Sequence, residues 1–164
     1  VTVDEKNTRV LEKNRATLRL AKDHSDYGYI FRTLLALSDV MEIKYALGVR
    51  TRRAYMDGDR RQMKRLLKEY KLLIKRLLVF YRRFLEQWNT ECKPYGFEKQ
   101  DIRLGGLIRR VWHCREMLDE FRRGKIDSIP LLEEEILPNE REVRPGQFIS
   151  NSDYHNIAMI KPFS

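Results

Sequence analysis

The segment MKRLLKEYKLLIKRLLVFYRRFLEQW, residues 63–88, decides the fold of this 164-residue chain. Its apolar residues recur at alternating spacings of three and four, which is the repeat of one face of an α-helix. Sustained for about 30 residues, such a helix spans about 45 Å. We therefore predict one long core helix, whose buried stripe comprises Met63, Leu66, Tyr70, Leu73, Leu77, Phe80 or Tyr81, Phe84 and Trp88.

Two further helices are predicted before this segment. The first is expected from about residue 4 to residue 22, and the second from about residue 30 to residue 55. Because the second helix is similar in length to the core helix, it is the natural antiparallel partner of that helix. Its apolar stripe is predicted to comprise Ile30, Phe31, Leu34, Leu35, Ser38, Met41 and Tyr45.

Turn residues separate these helices. Gly58 is suited to the left-handed position after the second helix, and Asp59 to the N-cap of the next one. A fourth helix, which Gly124 ends, is predicted to have Gly105 and Gly106 in its opening turns. Its apolar stripe comprises Leu104, Leu107, Ile108, Val111, Trp112, Leu118 and Phe121.

The C-terminal part of the chain differs in composition from the rest. Residues 1–125 carry 30 basic and 17 acidic side chains, whereas residues 126–164 carry 3 and 7. A short helix is predicted to begin around Pro130 and to end at Pro138. The sequence thus predicts an all-α fold, an antiparallel bundle of three to four long helices plus a short helix, as a domain over residues 1–138. Residues 139–164 are predicted as an extended tail, in which residues 154–160 form one strand or an arm packed on another domain.

The net charge of +9 admits several partners for the basic part of the chain: nucleic acid, an anionic membrane surface or an acidic domain. Solvated helix faces give the same composition. A nucleic-acid site would need exposed aromatic residues between its cations, but the aromatic residues fall mainly on the buried stripe. No apolar run approaches the 18 or so residues that a membrane span needs. We therefore expect neither nucleic acid nor membrane as a partner. The cations considered for nucleic acid form a basic ridge on one face of the third helix, which comprises Lys64, Lys68, Lys71, Lys75 and Arg82.

Cysteine and histidine, which are common metal ligands, are few and scattered in this sequence. Cys92 and Cys114 form no CxxC motif, and His24, His113 and His155 lie far apart in the sequence. No phosphate-binding loop, nucleophile elbow or HExxH motif is present. We therefore expect no metal, no cofactor and no catalytic residue in this chain.

The connector between the third and fourth helices is richer in chemistry than a turn requires. Residues 88–107 read WNTECKPYGFEKQDIRLGGL, although a proline and a glycine alone make a turn. Two interpretations stay open: an internal ion-pair network that braces the loop, or a surface that faces a sugar or a neighbouring domain. The candidate substrate-rim or interface residues are Trp88, Lys93, Tyr95, Phe97, Glu98, Asp101 and Arg103.

Two blocks carry a family resemblance. MEIKYALGVRTRRAYMDGD at residues 41–59, followed by QWNTECKPYGFEKQDIRLGGL at residues 87–107, resembles the C-terminal helical domain of bacterial exo-β-N-acetylglucosaminidases of glycoside hydrolase family 20. KIDSIPLLEEEILP at residues 125–138 is a third, weaker block. The likeness covers about residues 14–138.

The resemblance implies a domain that follows a catalytic (β/α)8 barrel in a cytoplasmic enzyme which removes terminal N-acetylhexosamine with retention. Such enzymes use the acetamido oxygen of the substrate as nucleophile, together with an adjacent Asp and Glu of the barrel. Asp119 and Glu120 do not match that pair, because they are predicted in a helix and not at the end of a barrel strand. The catalytic residues are therefore expected outside this chain.

The function expected from the resemblance is non-catalytic. The domain would brace the barrel of the same parent chain, support a homodimer, and present residues 88–103 at the rim of the active site. In the alternative interpretation, the chain is a free-standing basic bundle that binds nucleic acid or a protein partner. A structural module for oligomerisation is a third.

Overall fold

The computed structural model describes residues 5–21, 26–93 and 95–134. This part of the chain forms the helices α1 (Glu5–Ala21), α2 (Gly28–Met56), α3 (Arg60–Glu91), α4 (Glu98–Arg122) and α5 (Pro130–Glu133), and it contains no strand. The described residues up to Leu132 belong to one compact unit. The all-α bundle is thereby confirmed. The predicted tail, residues 139–164 with the strand or arm at residues 154–160, lies outside the described residues, so the boundary at residue 138 stays a prediction.

Helices α2 and α3 pack side by side in opposite directions. The Thr33 hydroxyl near the start of α2 donates a 3.0 Å hydrogen bond to the carbonyl of Arg83, towards the end of α3. Near the other end of the pair, the guanidinium of Arg50 contacts the carboxylate of Glu69. Residue numbers therefore fall along α3 as they rise along α2, which confirms the predicted antiparallel pairing.

The core follows the predicted stripe of α3. Met63 and Leu66 are fully buried, and Tyr70, Leu73 and Leu77 are buried further along the same helix. Side chains of α2, α4 and the segment before α5 surround this row, and α3 is the central helix of the bundle.

The predicted stripe of α2 is wrong for three of its seven residues, whereas Ser38 is buried as predicted. Leu34, Met41 and Tyr45 are exposed, whereas the face that packs into the core is rotated away from them. The buried face contains many small or β-branched side chains, which allow the backbone of α2 to approach the large residues of α3. Since α2 is apolar on more than one side, its periodicity does not identify the buried face, which comprises Thr33, Ala36, Val40, Ile43, Leu47, Thr51 and Ala54.

The turn between α2 and α3 confirms the predicted caps. Gly58 has a φ of 63°, and its N–H donates to the carbonyl of Tyr55 while the N–H of Asp59 donates to that of Ala54. This pair of bonds is the Schellman arrangement, and it satisfies the last carbonyls of α2. The Asp59 carboxylate accepts hydrogen bonds from the N–H groups of Arg61 and Gln62, at 3.0 and 2.9 Å. The dipeptide Gly58-Asp59 thus ends α2 and starts α3.

Helix α4 begins six residues earlier than the predicted stripe. It starts at Glu98, so Gly105 and Gly106 lie in its interior and not in its opening turns. Trp112, which the stripe predicts to be buried, is 42% exposed, with the Arg109 guanidinium 5.4 Å from its ring centroid. The end of α4 is as predicted, because Gly124 has a φ of 71° and follows the helix.

The remaining helices complete the bundle. Arg15 of α1 forms ion pairs with Asp39 and Glu42 of α2, at 2.6 and 2.7 Å. Helix α5 begins at Pro130 as predicted, but its described part ends at Glu133, and Pro138 lies outside the described residues. None of the helices described between residues 5 and 134 is long and apolar enough to cross a membrane.

Candidate functional site

The junction of α3 and α4 is built on a cluster of aromatic rings. Phe97, just before α4, is 5% exposed and lies against three rings of α3. Its centroid is 5.6 Å from that of Trp88, 5.7 Å from that of Phe84 and 5.9 Å from that of Tyr81. These tilted and edge-on contacts are the arrangements that aromatic pairs prefer. The cluster therefore fixes the start of α4 against the end of α3.

Hydrogen bonds define the backbone between the two helices. The indole N–H of Trp88 donates to the carbonyl of Lys93 at 3.1 Å. Gly96 has a φ of 97°, a conformation that side chains other than that of glycine rarely adopt, and its N–H donates to the Glu98 carboxylate at 2.8 Å. The turn between Trp88 and Glu98 is therefore tied to side chains at both of its ends.

The carboxylates of this region are engaged with neutral donors. The Tyr81 hydroxyl donates a 2.6 Å hydrogen bond to Asp101, and this bond, together with desolvation and the charge of Asp101, raises the pKa of Tyr81. Neither Glu98 nor Asp101 forms an ion pair with Arg103 in the part of the chain that the structure describes. Of the two interpretations left open, the ion-pair network therefore has no support there, and aromatic packing braces the junction.

The seven candidate residues separate into two groups. Phe97 is buried and Trp88 half-buried, so these two belong to the packing that holds the junction. Tyr95 is 86% exposed at the tip of the turn. The other four candidates are also exposed, and three of them lie in the first two turns of α4 instead of a loop: Lys93, Glu98, Asp101 and Arg103.

The sequence prediction misses the role of Tyr81 and Phe84 at this site. Their helical spacing assigns Phe84 to the core stripe of α3 and leaves either Phe80 or Tyr81 at the position before it. That same spacing places Phe84 one turn and Tyr81 two turns before Trp88 on a single face. The Tyr81 hydroxyl at the edge of this face is the polar partner of Asp101.

Asp119, which is adjacent to Glu120 in α4, is engaged by arginines. The Asp119 carboxylate lies 2.8 Å from the guanidinium groups of both Arg122 and Arg123. Although desolvation opposes the effect, these two arginines lower the pKa of Asp119 below its ordinary value. A carboxylate held ionised in this way is unsuited to donate a proton. Residues 5–21, 26–93 and 95–134 also contain no group of three side chains placed to bind a metal.

Comparison with known proteins gives one family. Residues 2–150 match the model of the glycoside hydrolase 20C C-terminal domain. No curated protein is significantly similar to the chain.

Proposed function

Because this chain belongs to the glycoside hydrolase 20C C-terminal domain family, we propose that it is the non-catalytic helical domain of a retaining, substrate-assisted exo-β-N-acetylglucosaminidase. The observation that carries this proposal is the family match over residues 2–150. The all-α bundle of the described residues agrees with it. The chemistry then resides in a barrel domain of the same parent chain.

The work of the domain in this proposal is to brace that barrel and to support a homodimer. The geometry of the α3 and α4 junction favours a bracing element, because its aromatic cluster and its turn hydrogen bonds hold exposed side chains in fixed positions. Cys92 and Cys114 are both free thiols, in keeping with a cytoplasmic enzyme. The family match gives no support to the free-standing nucleic-acid-binding bundle, which we do not propose.

We propose further that the exposed residues of the junction contribute to the rim of the active site. Tyr95 presents an aromatic ring to the outside, and rings of this kind stack on sugars. Arg103 is exposed and has no ion-pair partner among the described residues, so it is available to a sugar or to a neighbouring domain. Both side chains are presented on a rigid support, as a rim position requires.

The first test of the proposal is the mass of the native protein in its source cells, detected with an antibody against this domain. We expect a band far above 19.8 kDa, large enough to include a catalytic barrel. The same polypeptide should release N-acetylglucosamine from a chromogenic β-N-acetylglucosaminide. A native mass near 19.8 kDa would exclude the proposal, since a barrel could not then belong to the same chain.

The rim role is tested in the full-length enzyme with a Tyr95→Ala, Arg103→Ala double variant. We expect kcat/KM to fall by about tenfold, mainly through KM, because a binding contact is lost while the catalytic groups stay intact. Lys68→Ala is the control. Like Arg103, Lys68 is charged and exposed, but it lies on α3 away from the junction. Unchanged kinetics in the double variant would refute the rim role and leave the bracing role standing.

A further inference from the structure

The outer side of α2 carries a row of apolar side chains that the bundle leaves exposed. They recur at spacings of three and four, and each is between 36 and 49% exposed although α1 packs on the same helix. The first three also line a groove of about 400 Å³ between α1 and α2. This row, the α2 stripe, comprises Leu34, Leu37, Met41, Tyr45 and Val49.

Gly48 lies within the α2 stripe and has no role inside the domain. Apart from the nearby backbone of α2 itself, a Cβ atom added at Gly48 would meet no heavy atom of the domain within 4 Å, and the residue does not have a positive φ. A glycine inside a helix lowers its stability relative to alanine. Neither internal packing nor the backbone conformation requires glycine at this position. The close approach of a partner's backbone would account for it.

The charges beside the α2 stripe indicate the chemistry of the partner. The two acidic residues of α2, Asp39 and Glu42, are both occupied by arginines of neighbouring helices. Lys44 and Arg53 are exposed, and since each helical residue turns by about 100°, they lie on opposite flanks of the stripe. Neither forms an ion pair in the described part of the chain. The flanks therefore attract a partner with carboxylates.

A second copy of this chain does not fit the α2 stripe. In a two-fold dimer through this surface, the stripe of one copy would lie on the stripe of the other. Lys44 and Arg53 of the two copies would then be brought together, and like charges at an interface are unfavourable. The complementary partner is an apolar helix face flanked by Asp or Glu.

Resting on the proposed function, we propose that the α2 stripe is the surface on which the catalytic barrel of the parent enzyme docks. A (β/α)8 barrel is surrounded by an outer ring of helices, so it presents helix faces to any domain that packs on it. The docked element is an outer barrel helix with an apolar face and flanking carboxylates. Its backbone passes close to α2 at Gly48, and its carboxylates pair with Lys44 and Arg53.

The test is cysteine labelling in the full-length enzyme, with Cys92 and Cys114 replaced by serine. Val49→Cys reports on the α2 stripe, and Leu78→Cys on α3 is the matched control, because the two native side chains are 49 and 51% exposed in this domain. We expect a maleimide to label Val49→Cys slower than Leu78→Cys by about tenfold or more, since labelling then requires opening of the interface. Gly48→Leu, whose Cβ has open space around it in this domain, should restore fast labelling of Val49→Cys and leave the control rate unchanged.

Each other result contradicts the inference in a distinguishable way. Equal labelling rates in a polypeptide whose mass includes the barrel would overturn the docking surface and leave the proposed function intact. If the Val49→Cys thiol loses its protection when the enzyme is diluted until it is monomeric, the α2 stripe binds a second copy of the chain. A native mass without a barrel would overturn both the docking surface and the proposed function. Slow labelling that persists with Gly48→Leu would exclude the close approach at Gly48.

Discussion

The backbone N–H of Ile129 donates a 3.0 Å hydrogen bond to the side-chain hydroxyl of Tyr55, 74 residues earlier in the chain. Both residues are buried, and the Tyr55 ring also lies 4.6 Å from that of Phe121. The end of α2 thereby holds the segment that leads from α4 into α5. Both the hydroxyl and the ring of Tyr55 therefore contribute to this end of the bundle.

Tyr55→Phe should destabilise the protein by about 1–3 kcal/mol, because it leaves the buried N–H of Ile129 without an acceptor. The midpoint of urea denaturation measures the effect. Tyr95→Phe serves as the control, since the Tyr95 side chain is 86% exposed and its hydroxyl faces water. Equal midpoints for the two variants would mean that the bond to Ile129 contributes nothing to stability.

Phe97→Ala should cost about 3–5 kcal/mol, as is usual when a buried phenylalanine is truncated. The three rings around Phe97 would lose their common contact, and the turn before α4 would lose its anchor. Tyr95→Ala, two residues away in the same turn, should leave the free energy of unfolding almost unchanged. Chemical denaturation of both variants checks this, and a small loss for Phe97→Ala would show that the cluster does not stabilise the junction.

Asp59→Ala should destabilise the protein by about 1 kcal/mol, because two N–H groups at the start of α3 lose their acceptor. Asp57→Ala removes a similar charge from the same turn without removing a side-chain capping bond, because the Asp57 position caps α2 through backbone N–H groups. Thermal unfolding of the two variants separates the capping bonds from the charge. If both variants unfold at the same temperature, the capping bonds are not the source of the effect.

The ion pairs of Glu42 predict a loss of stability in acid. Desolvation opposes the effect, but the hydrogen bond from Arg76 and the charge of Arg15 hold the pKa of Glu42 below its ordinary value of 4.5. A carboxylate whose pKa is lowered by folding stabilises the protein above that ordinary value and loses this contribution as the pH falls through its folded pKa. Glu42→Gln should therefore be less stable than the wild type at neutral pH.

The difference between Glu42→Gln and the wild type should shrink as the pH is lowered below 4.5. Urea midpoints at about pH 7 and about pH 3.5 test this. Glu120→Gln is the control, because Glu120 is exposed and no ion pair involves it in the described residues. A difference that is the same at both pH values would contradict a lowered pKa for Glu42 in the folded protein.

Much of the site is predictable as a list of residues but not as an arrangement. The unusual composition of residues 88–103 identifies the junction, and the positive φ of Gly96 agrees with a turn there. The sequence does not separate Phe97, which is buried, from Tyr95, which is exposed two residues away. Both are aromatic residues in a turn, and only the position of α3 decides which ring it covers. The sequence also left two interpretations open for Glu98 and Asp101, whose partners in the structure are a backbone N–H and a tyrosine hydroxyl.

The sequence by itself determined where the long helices form and how two of them meet. The repeat of apolar residues in α3, the cap at Asp59 and the left-handed glycines at Gly58 and Gly124 act within a few residues of one another, so local physics suffices for them. The tertiary structure alone decided which face of α2 is buried. That choice depends on how closely two backbones approach, and a residue such as Met41 is apolar on whichever side it lies. The α2 stripe exists because Thr33, Ala36 and Val40 allow a closer approach to α3 than leucines would, which leaves the larger side chains outside.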